Sequence, residues 1–428
     1  MQTTIVAIAT PPGNSGVGIV RLSGPDALAV ADKMLQNSKR LTDRKAAIVQ
    51  VCGDTALVLY FKAPHSFTGE DVVEFQCHGS WLLLNTVVET AISCGAVAAT
   101  RGEFSRRAFL NGKLSLDQAE AIIEIINAES EAHLKYASTV FGGALKNQLA
   151  EFENSLIEIT AQIEATLDYP EEVETPEIQA PINNLIERIK SLTSTAATGR
   201  IIANGINVAV LGRPNAGKSS IFNALLSRDR SIVTEIPGTT TDTVTDAIIY
   251  NGTKMIFHDT AGLREGKNEI ERLGIERSKK SIDNCDIALV IFDATDIEVP
   301  ELLDLVKNKP HLVVYNKCDL VKCEAKYLNV SAKTGEGIQA IKQKIYELAI
   351  STPPASDQII ITNARHAAEL TLAQTALENA MASIQNQMPL DCIAADIQTA
   401  LNHIGNVTGT RASEAVLDEI FSRFCLGK

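Results

Sequence analysis

The sequence predicts a multidomain α/β protein: a small mixed α/β domain is followed by a discontinuous helical domain with a compact α/β domain inserted into it. The chain has 428 residues, whereas a single hydrophobic core stops growing at about 250–300 residues. Hydrophobic residues make up 45% and charged residues 21%, the balance of an ordinary globular protein. The middle of the chain has an α/β pattern and both of its flanks have helical periodicity.

Residues 1–115 are predicted to form the mixed α/β domain. Gly/Pro turns and two helical stretches separate its strand-like runs. These runs are Thr4–Ala9, Val17–Leu22, Leu57–Phe61 and Val72–Gln76.

Residues 116–204 and 352–428 are predicted to be the two parts of the helical domain, and residues 205–351 the insertion. From Leu116 to Leu167 apolar residues return every three or four positions, which indicates a pair of long amphipathic helices. The same period resumes after the linker Thr352-Pro353-Pro354.

The charge distribution limits how the chain could meet nucleic acid. Its formal net charge is −13, so we expect no broad basic face, and any RNA contact must be local or shared with a partner. Between Glu151 and Glu177 lie nine carboxylates and no Lys or Arg. This stretch is either a solvated helix end or an acidic contact for a basic partner.

The eight cysteines form no C-x-x-C pair, which favours reduced thiols packed as small hydrophobes. Apolar runs are too short to span a bilayer, and the first residues resemble no secretory signal. We therefore expect a cytoplasmic protein that does not enter a membrane.

The segment Gly212-Arg213-Pro214-Asn215-Ala216-Gly217-Lys218-Ser219 fits the phosphate-loop pattern G-x-x-x-x-G-K-S/T. A strand-like run, Val208–Leu211, precedes it and a predicted helix, Ser220–Leu226, follows it, as this motif requires. Backbone N–H groups and the helix N-terminus would face the phosphates. Lys218 would reach the β- and γ-phosphates, and the Ser219 hydroxyl would hold Mg²⁺.

Further motifs follow in the order of a Ras-like G domain. Thr240 would offer a hydroxyl to Mg²⁺, Asp259 would support the metal or its water, and Gly262 would present its N–H to the γ-phosphate. Asp319 would accept two parallel hydrogen bonds from guanine, which selects GTP over ATP. The predicted GTP contacts are Asn215, Ala216, Gly217, Lys218, Ser219, Ser220, Thr239, Thr240, Asp259, Thr260, Ala261, Gly262, Asn316, Lys317, Asp319, Ser331, Ala332 and Lys333.

Leu263 stands where Ras-type switches carry the glutamine that orients water, so hydrolysis needs another device. One candidate is Glu271, acting through water. The other is Asn215, as a ligand of a monovalent cation. Taken singly, Glu271 fits a surface position on a helix better than a catalytic one.

Several strings outside the insertion add to these motifs. They are Ala9-Thr10-Pro11-Pro12-Gly13, Ser66-Phe67-Thr68-Gly69-Glu70-Asp71, Gly102-Glu103-Phe104-Ser105, Ala108-Phe109-Leu110-Asn111 and Phe424-Cys425-Leu426-Gly427-Lys428. With them, the chain resembles over essentially its whole length the tRNA-modification GTPase family called MnmE or TrmE. Two departures are Thr241, where many members have Arg, and Leu426, where they have Ile.

The resemblance implies an N-terminal domain that binds folate and dimerises, and it implies further site residues. Arg21, Glu74, Lys113 and Lys428 match contacts to 5-formyl- or methylene-tetrahydrofolate. Thr234 matches a GTP contact and Glu271 a catalytic glutamate. Ser219 and Thr240 match Mg²⁺ ligands, whereas the residues that match K⁺ ligands are Asn215, Thr234, Ile236 and Thr239.

The resemblance also implies partners and a reaction. Members of the family form a homodimer that joins a FAD-containing subunit, usually called MnmG, in a heterotetramer. This complex places an aminomethyl or carboxymethylaminomethyl group on carbon 5 of the wobble uridine of certain tRNAs. Cys425 is a second catalytic candidate, because a partly exposed thiol near Lys428 would have a lowered pKa. An inert thiol at a frayed terminus is the alternative.

Two other functions share part of this pattern. A ribosome-assembly-type GTPase switch would have the same G motifs without the N-terminal strings and the cysteine tail. A folate-dependent one-carbon transferase with a regulatory G domain would turn over folate without a flavoprotein partner.

Overall fold

The chain forms two compact units in a computed structural model, and each unit is built from separate stretches of sequence. The first unit contains Met1–Ile123, Val140–Leu185 and Leu372–Lys428, and the second contains Glu124–Thr139 and Ile186–Thr371. The structure describes residues 3–35, 41–174, 176–226, 245–259, 282–296, 300–321, 327–350 and 358–428. No helix in these ranges has the length and apolar character needed to cross a membrane.

A six-stranded mixed sheet, with strand order β3-β4-β5-β2-β1-β6, lies in the first unit. Its neighbouring strands are antiparallel except for the parallel pair β1–β6. The strands are β1 (Ile5–Ile8), β2 (Ser15–Ser23), β3 (Ala47–Val51), β4 (Asp54–Phe61), β5 (Val72–Gly79) and β6 (Val97–Ala98). The four strand-like runs predicted for residues 1–115 are thereby confirmed.

Three helices accompany this sheet, although only two were expected. They are α1 (Ala27–Met34), α2 (Trp81–Ser93) and α3 (Glu103–Leu110). The short helix α3 begins after Gly102, whose φ of +68° is left-handed. From the sequence, Gly102 favours a turn over the start of a helix, because glycine adopts the left-handed conformation readily. The third helix was therefore not predicted.

The expected pair of long helices over Leu116–Leu167 is wrong, because the segment forms three helices. Gly143, with φ +89°, separates the second from the third, and Ser130 caps the second by accepting a hydrogen bond from the N–H of His133 at 3.2 Å. The helices up to the insertion are α4 (Leu116–Ile126), α5 (Glu131–Phe141), α6 (Ala144–Asp168), α7 (Gln179–Thr193) and α8 (Ala196–Asn204).

A second six-stranded sheet, with strand order β12-β11-β10-β7-β9-β8, forms the centre of the second unit. All neighbours are parallel except the antiparallel hairpin β8–β9. The strands are β7 (Ile206–Leu211), β8 (Thr245–Tyr250), β9 (Thr253–Asp259), β10 (Ile287–Asp293), β11 (His311–Asn316) and β12 (Leu328–Asn329). Buried apolar clusters include Val208, Leu289 and Ile341 in one and Leu211, Val290 and Val306 in the other.

The helices that follow β7 complete the predicted class of a P-loop α/β domain within a helical one. They are α9 (Lys218–Leu226), α10 (Pro300–Val306), α11 (Ile338–Ala349), α12 (Ala364–Gln385), α13 (Leu390–Thr408) and α14 (Glu414–Ser422). Of the seven cysteines in the described ranges, all are free thiols, and Cys77, Cys285 and Cys318 are buried while Cys425 is exposed.

Candidate functional site

The predicted phosphate loop connects β7 to α9 and is curled by two left-handed residues, Asn215 (φ +66°) and Gly217 (φ +87°). A Cβ atom on Gly217 would lie 2.1 Å from Nδ2 of Asn316, so a larger residue would displace that amide. Glycine at position 217 therefore allows the Asn316 amide to approach the loop closely.

Lys218 is the first residue of α9 and is only 8% exposed. Its Nζ donates hydrogen bonds to the carbonyl oxygens of Gly212 and Arg213, both at 2.8 Å. The ammonium group thus lies over the loop that would hold the phosphates. Ser219 and Ser220 follow it and are exposed.

Asn316 links the phosphate loop to the predicted base-binding residues. Its Nδ2 donates to the carbonyl oxygen of Ala216 at 3.0 Å, and its Oδ1 accepts from the N–H of Ala332 at 3.1 Å. One buried amide therefore joins loops about a hundred positions apart in sequence.

The carboxylate of Asp319 is oriented by Ser331, whose Oγ donates to Oδ1 at 2.7 Å. The sequence predicted Ser331 only as a GTP contact, and this side-chain bond was missed. Lys333 is exposed.

A further ion pair beneath this loop was also missed. Lys317, left-handed at φ +68°, pairs with Asp293, which also accepts from Oγ1 of Thr295 at 2.7 Å. Burial alone would raise the pKa of Asp293, but the hydrogen bonds from Lys317 and Thr295 outweigh burial and lower it. The position of Asp293 at the end of an apolar run was the signal that could have identified it.

The remaining predicted nucleotide and cation residues are only partly described. Asp259 is the last residue of β9 and pairs with Val210, which places its backbone at the sheet edge from which the phosphate loop departs. Those outside the described residues are Thr234, Ile236, Thr239, Thr240, Thr260, Ala261, Gly262, Leu263 and Glu271.

In the first unit, Arg21 and Glu74 face each other across β2 and β5. Nε of Arg21 lies 2.7 Å from Oε1 of Glu74, and both side chains are 16% exposed. The guanidinium lies 5.7 Å from the ring centroids of both Phe67 and Phe104, a distance that allows cation–π attraction. A half-buried cation and carboxylate are thus bordered by two aromatic rings.

Residues 423–428, here called the tail, bring the other end of the sequence to this pair. A Cβ atom on Gly427 would lie 2.1 Å from the carbonyl oxygen of Ile8. Burial lowers the pKa of Lys428, as does the nearby Arg21, whereas Cys425 and Glu74 act in the opposite direction. Arg21, Glu74, Cys425 and Lys428 therefore share one neighbourhood.

Helix α14 holds the tail in place. Leu417, Ile420, Phe421 and Phe424 form a buried cluster with Leu116. An ion pair adds to it, because Nη2 of Arg106 lies 2.9 Å from Oδ1 of Asp418.

Lys113 is the remaining predicted folate contact. Its Nζ donates to the carbonyl oxygen of Pro64 at 2.8 Å, and it lines a pocket of about 420 Å³ with Gly69, Asp71 and Asn111. Arg21, Glu74 and Lys428 do not line that pocket.

A buried polar network near Arg21 was not predicted as such. Glu70, 8% exposed, accepts from Oγ of Ser23 at 2.6 Å and from Nη1 of Arg107 at 3.2 Å. Arg107 also donates to Glu103 at 2.8 Å. This network fixes α3 against the end of β2.

Comparisons with known proteins agree with this architecture. The family described as "MnmE helical domain" matches residues 116–425, and the one described as "GTP-binding protein TrmE N-terminus" matches residues 4–113. A solved G domain of the Thermotoga maritima FeoB iron transporter aligns with 34% of this chain and 98% of its own, at 23% identity and a TM-score of 0.28.

Two whole-length relatives carry the same name. The tRNA modification GTPase MnmE of Chlamydia trachomatis serovar L2 is 40% identical over 440 residues, covering 99% of each chain. That of Thermotoga maritima is 38% identical over 448 residues, covering 99% of this chain and all of its own. With both family matches and both relatives extending along the chain, this protein belongs to the MnmE (TrmE) family of tRNA modification GTPases.

Proposed function

We propose that this chain is a GTP hydrolase that acts in tRNA modification. With a FAD-containing MnmG-like partner, it converts carbon 5 of the wobble uridine of certain tRNAs to the (carboxymethyl)aminomethyl form, using a tetrahydrofolate one-carbon unit. The observation that carries the GTPase part is the amide of Asn316, which joins the phosphate loop to the base-binding segment.

The residues of the nucleotide site fit a guanine nucleotide. Backbone N–H groups of the loop and of the start of α9 would bind the phosphates. Lys218, now hydrogen-bonded to two loop carbonyls, would turn to the β- and γ-phosphates as their charge replaces those acceptors. Asp319, held by Ser331, would read the guanine N–H groups.

Two cations would complete this site. Mg²⁺ would be held by Ser219 and Thr240 and would neutralise charge on the phosphates. K⁺ would be held by Asn215, Thr234, Ile236 and Thr239, while Glu271 would orient the attacking water.

The neighbourhood of Arg21 fits a reduced folate by its chemistry. A folate has a flat pterin ring with hydrogen-bonding edges and a carboxylate-bearing end. Glu74 can accept hydrogen bonds from the ring N–H groups, while Arg21 and Lys428 supply positive charge, and Phe67 and Phe104 supply apolar faces. When bound, the folate would supply the one-carbon unit, and Lys113 would contribute a further contact.

Cys425 is the candidate nucleophile beside that group. Its thiol is exposed, and Lys428 is close enough to interact with it electrostatically.

The proposal includes partners and a compartment. We infer a homodimer joined to the MnmG-like subunit in a heterotetramer in the cytoplasm, with tRNA as substrate. At a net charge of −13, the chain would share its RNA contact with that subunit.

Nucleoside mass spectrometry of tRNA from a deletion strain tests the proposal. The modified wobble uridine should disappear, return with the wild-type chain, and stay absent with Cys425→Ser, although the purified Cys425→Ser protein should hydrolyse GTP at nearly the normal rate. Unchanged nucleosides in the deletion strain would contradict the tRNA function. Unchanged nucleosides together with a defect in ribosome assembly would favour the alternative function, a ribosome-assembly-type GTPase switch.

A further inference from the structure

The turn of the β8–β9 hairpin caps helix α5. Its two residues are left-handed, with φ +48° at Asn251 and +71° at Gly252. The carbonyl oxygen of Gly252 accepts a hydrogen bond from the N–H of Ala132 at 3.2 Å. Because the first N–H groups of a helix have no partner within the helix, the turn satisfies one of them from a distant part of the chain.

Two other contacts surround this bond. Lys254, at the start of β9, forms an ion pair with Glu129, and the two side chains are 18% and 57% exposed. Ala132 packs beside a buried cluster of Tyr136, Ile202 and Ile360. The turn is therefore attached to α5 by a backbone bond, an ion pair and adjacent apolar packing, which we call the hairpin joint.

A second contact fixes the same end of the hairpin within the second unit, here called the nucleotide unit because it holds the phosphate loop. Tyr250, the last residue of β8, packs edge to face against Tyr346 of α11, with ring centroids 6.0 Å apart. The hairpin end is thus held on two sides, by α5 and by α11.

The other end of the hairpin adjoins the predicted nucleotide motifs. The pairing is continuous from Thr245↔His258 to Tyr250↔Thr253. β9 ends at Asp259, and β8 begins five positions after Thr240 in the sequence. Since the paired strands are joined along the whole hairpin, a displacement at the Asp259 end can be passed to the end that caps α5.

Helix α5 receives such a displacement at its first turn, where the N–H of Ala132 donates its hydrogen bond to Gly252.

We propose that the hairpin joint couples GTP hydrolysis to α5, and that Lys254 and Glu129 are positioning residues for hydrolysis although neither lies in the nucleotide pocket. The inference rests on the proposed GTPase activity. A contact that changes with the nucleotide state can in turn influence how the hydrolysis site is arranged, and an effect on kcat need not appear as an equal effect on affinity.

Charge reversal at the joint tests this inference on the full-length chain. Lys254→Glu places two carboxylates together and should lower kcat for GTP about three- to tenfold, with KM and the Kd for GDP within twofold of wild type. Adding Glu129→Lys restores opposite charges and should recover most of kcat. Lys344→Gln, which removes the exposed Lys344–Glu347 pair in α11, is the control and should leave kcat unchanged.

Amide hydrogen exchange gives a readout that a merely structural role would not change. In wild type, exchange of peptides covering residues 129–136 should differ between the GDP and non-hydrolysable GTP forms, and this difference should be lost in Lys254→Glu. Equal exchange in both forms, or a Lys254→Glu kcat equal to wild type, would overturn the coupling. Absence of GTP binding or hydrolysis in wild type would instead refute the proposed function.

Discussion

The carbonyl oxygen of Ile8 occupies the place that a side chain on Gly427 would need, 2.1 Å from the position of its Cβ atom. Gly427 is also left-handed, at φ +87°, a conformation that costs other residues about 1–2 kcal/mol. Only glycine fits both conditions, so the end of β1 fixes the path of the tail and the position of Lys428.

Gly427→Ala should move the tail away from β1 while leaving the nucleotide unit intact. We expect loss of wobble-uridine modification in complemented deletion cells, with GTP turnover of the purified protein within twofold of wild type. Leu426→Ala is the matched control, because Leu426 is 55% exposed, and it should support modification. Normal modification by Gly427→Ala would show that the seating of the tail is dispensable.

Asp319→Asn should convert the nucleotide preference from GTP toward XTP. The substitution replaces a hydrogen-bond acceptor with a donor, and xanthine has an acceptor oxygen in place of the exocyclic amine of guanine. We expect GTP affinity to fall by on the order of a hundredfold. Ser331→Ala removes only the 2.7 Å bond to Asp319 and should weaken GTP about two- to tenfold without any gain for XTP. Titration with fluorescent nucleotides measures both, and tight GTP binding by Asp319→Asn would contradict the role in base recognition.

GTP hydrolysis should depend on K⁺, because the sequence lacks the switch glutamine and an evident arginine finger. Replacing K⁺ with Na⁺ should reduce turnover at least about tenfold, on the order of 1.4 kcal/mol of barrier. Asn215→Gly keeps the left-handed backbone at this position but removes the side-chain oxygen, and it should abolish the difference between the salts. Equal wild-type rates in KCl and NaCl at matched ionic strength would exclude this cation role.

Acid should destabilise the nucleotide unit through His258. Burial lowers the pKa of His258 below 6.5, and its Nε2 lies 3.0 Å from Oδ1 of Asn207. Between its folded pKa and 6.5, the unfolded chain binds more protons, so the stability present at neutral pH is lost as pH falls through this interval.

His258→Gln should reduce the loss of stability in acid, whereas substitution of the exposed His311 by Gln should not. Calorimetry between pH 7 and pH 5 measures the stability of the nucleotide unit, whose unfolding transition is the one that GDP shifts to higher temperature. The same pH slope in wild type and His258→Gln would assign the acid sensitivity to other groups.

The strands that carry the phosphate-loop and base-binding motifs could be predicted from the sequence, because these motifs directly follow β7 and β11, whose carboxyl ends lie at the same edge of the sheet. The hydrogen-bond and ion-pair partners that depend on side-chain direction could not be predicted. Nothing in the sequence near Lys317 identifies Asp293 as its partner, and nothing near Ser331 predicts its bond to Asp319.

The helices were harder to predict than the strands. Periodicity over Leu116–Leu167 is the same in one long helix as in several, so the breaks at Ser130 and Gly143 were missed. The periodicity also could not show that the first turns of α5 pack with the nucleotide unit. The contact of Gly427 with Ile8 joins the two ends of the sequence, and only the resemblance to the family implied that Lys428 and Arg21 share a site.

That contact also has a consequence for biosynthesis. Arg21 leaves the ribosome early, whereas residues 425–428 follow all the other described residues, so the phosphate loop and base-binding residues are all synthesised before the Arg21 neighbourhood can be completed. A ribosome that stops shortly after residue 420 would release a chain with every motif of the nucleotide unit but without Cys425 and Lys428. Given the roles proposed for Cys425 and Lys428, such truncated chains would consume GTP without contributing to modification.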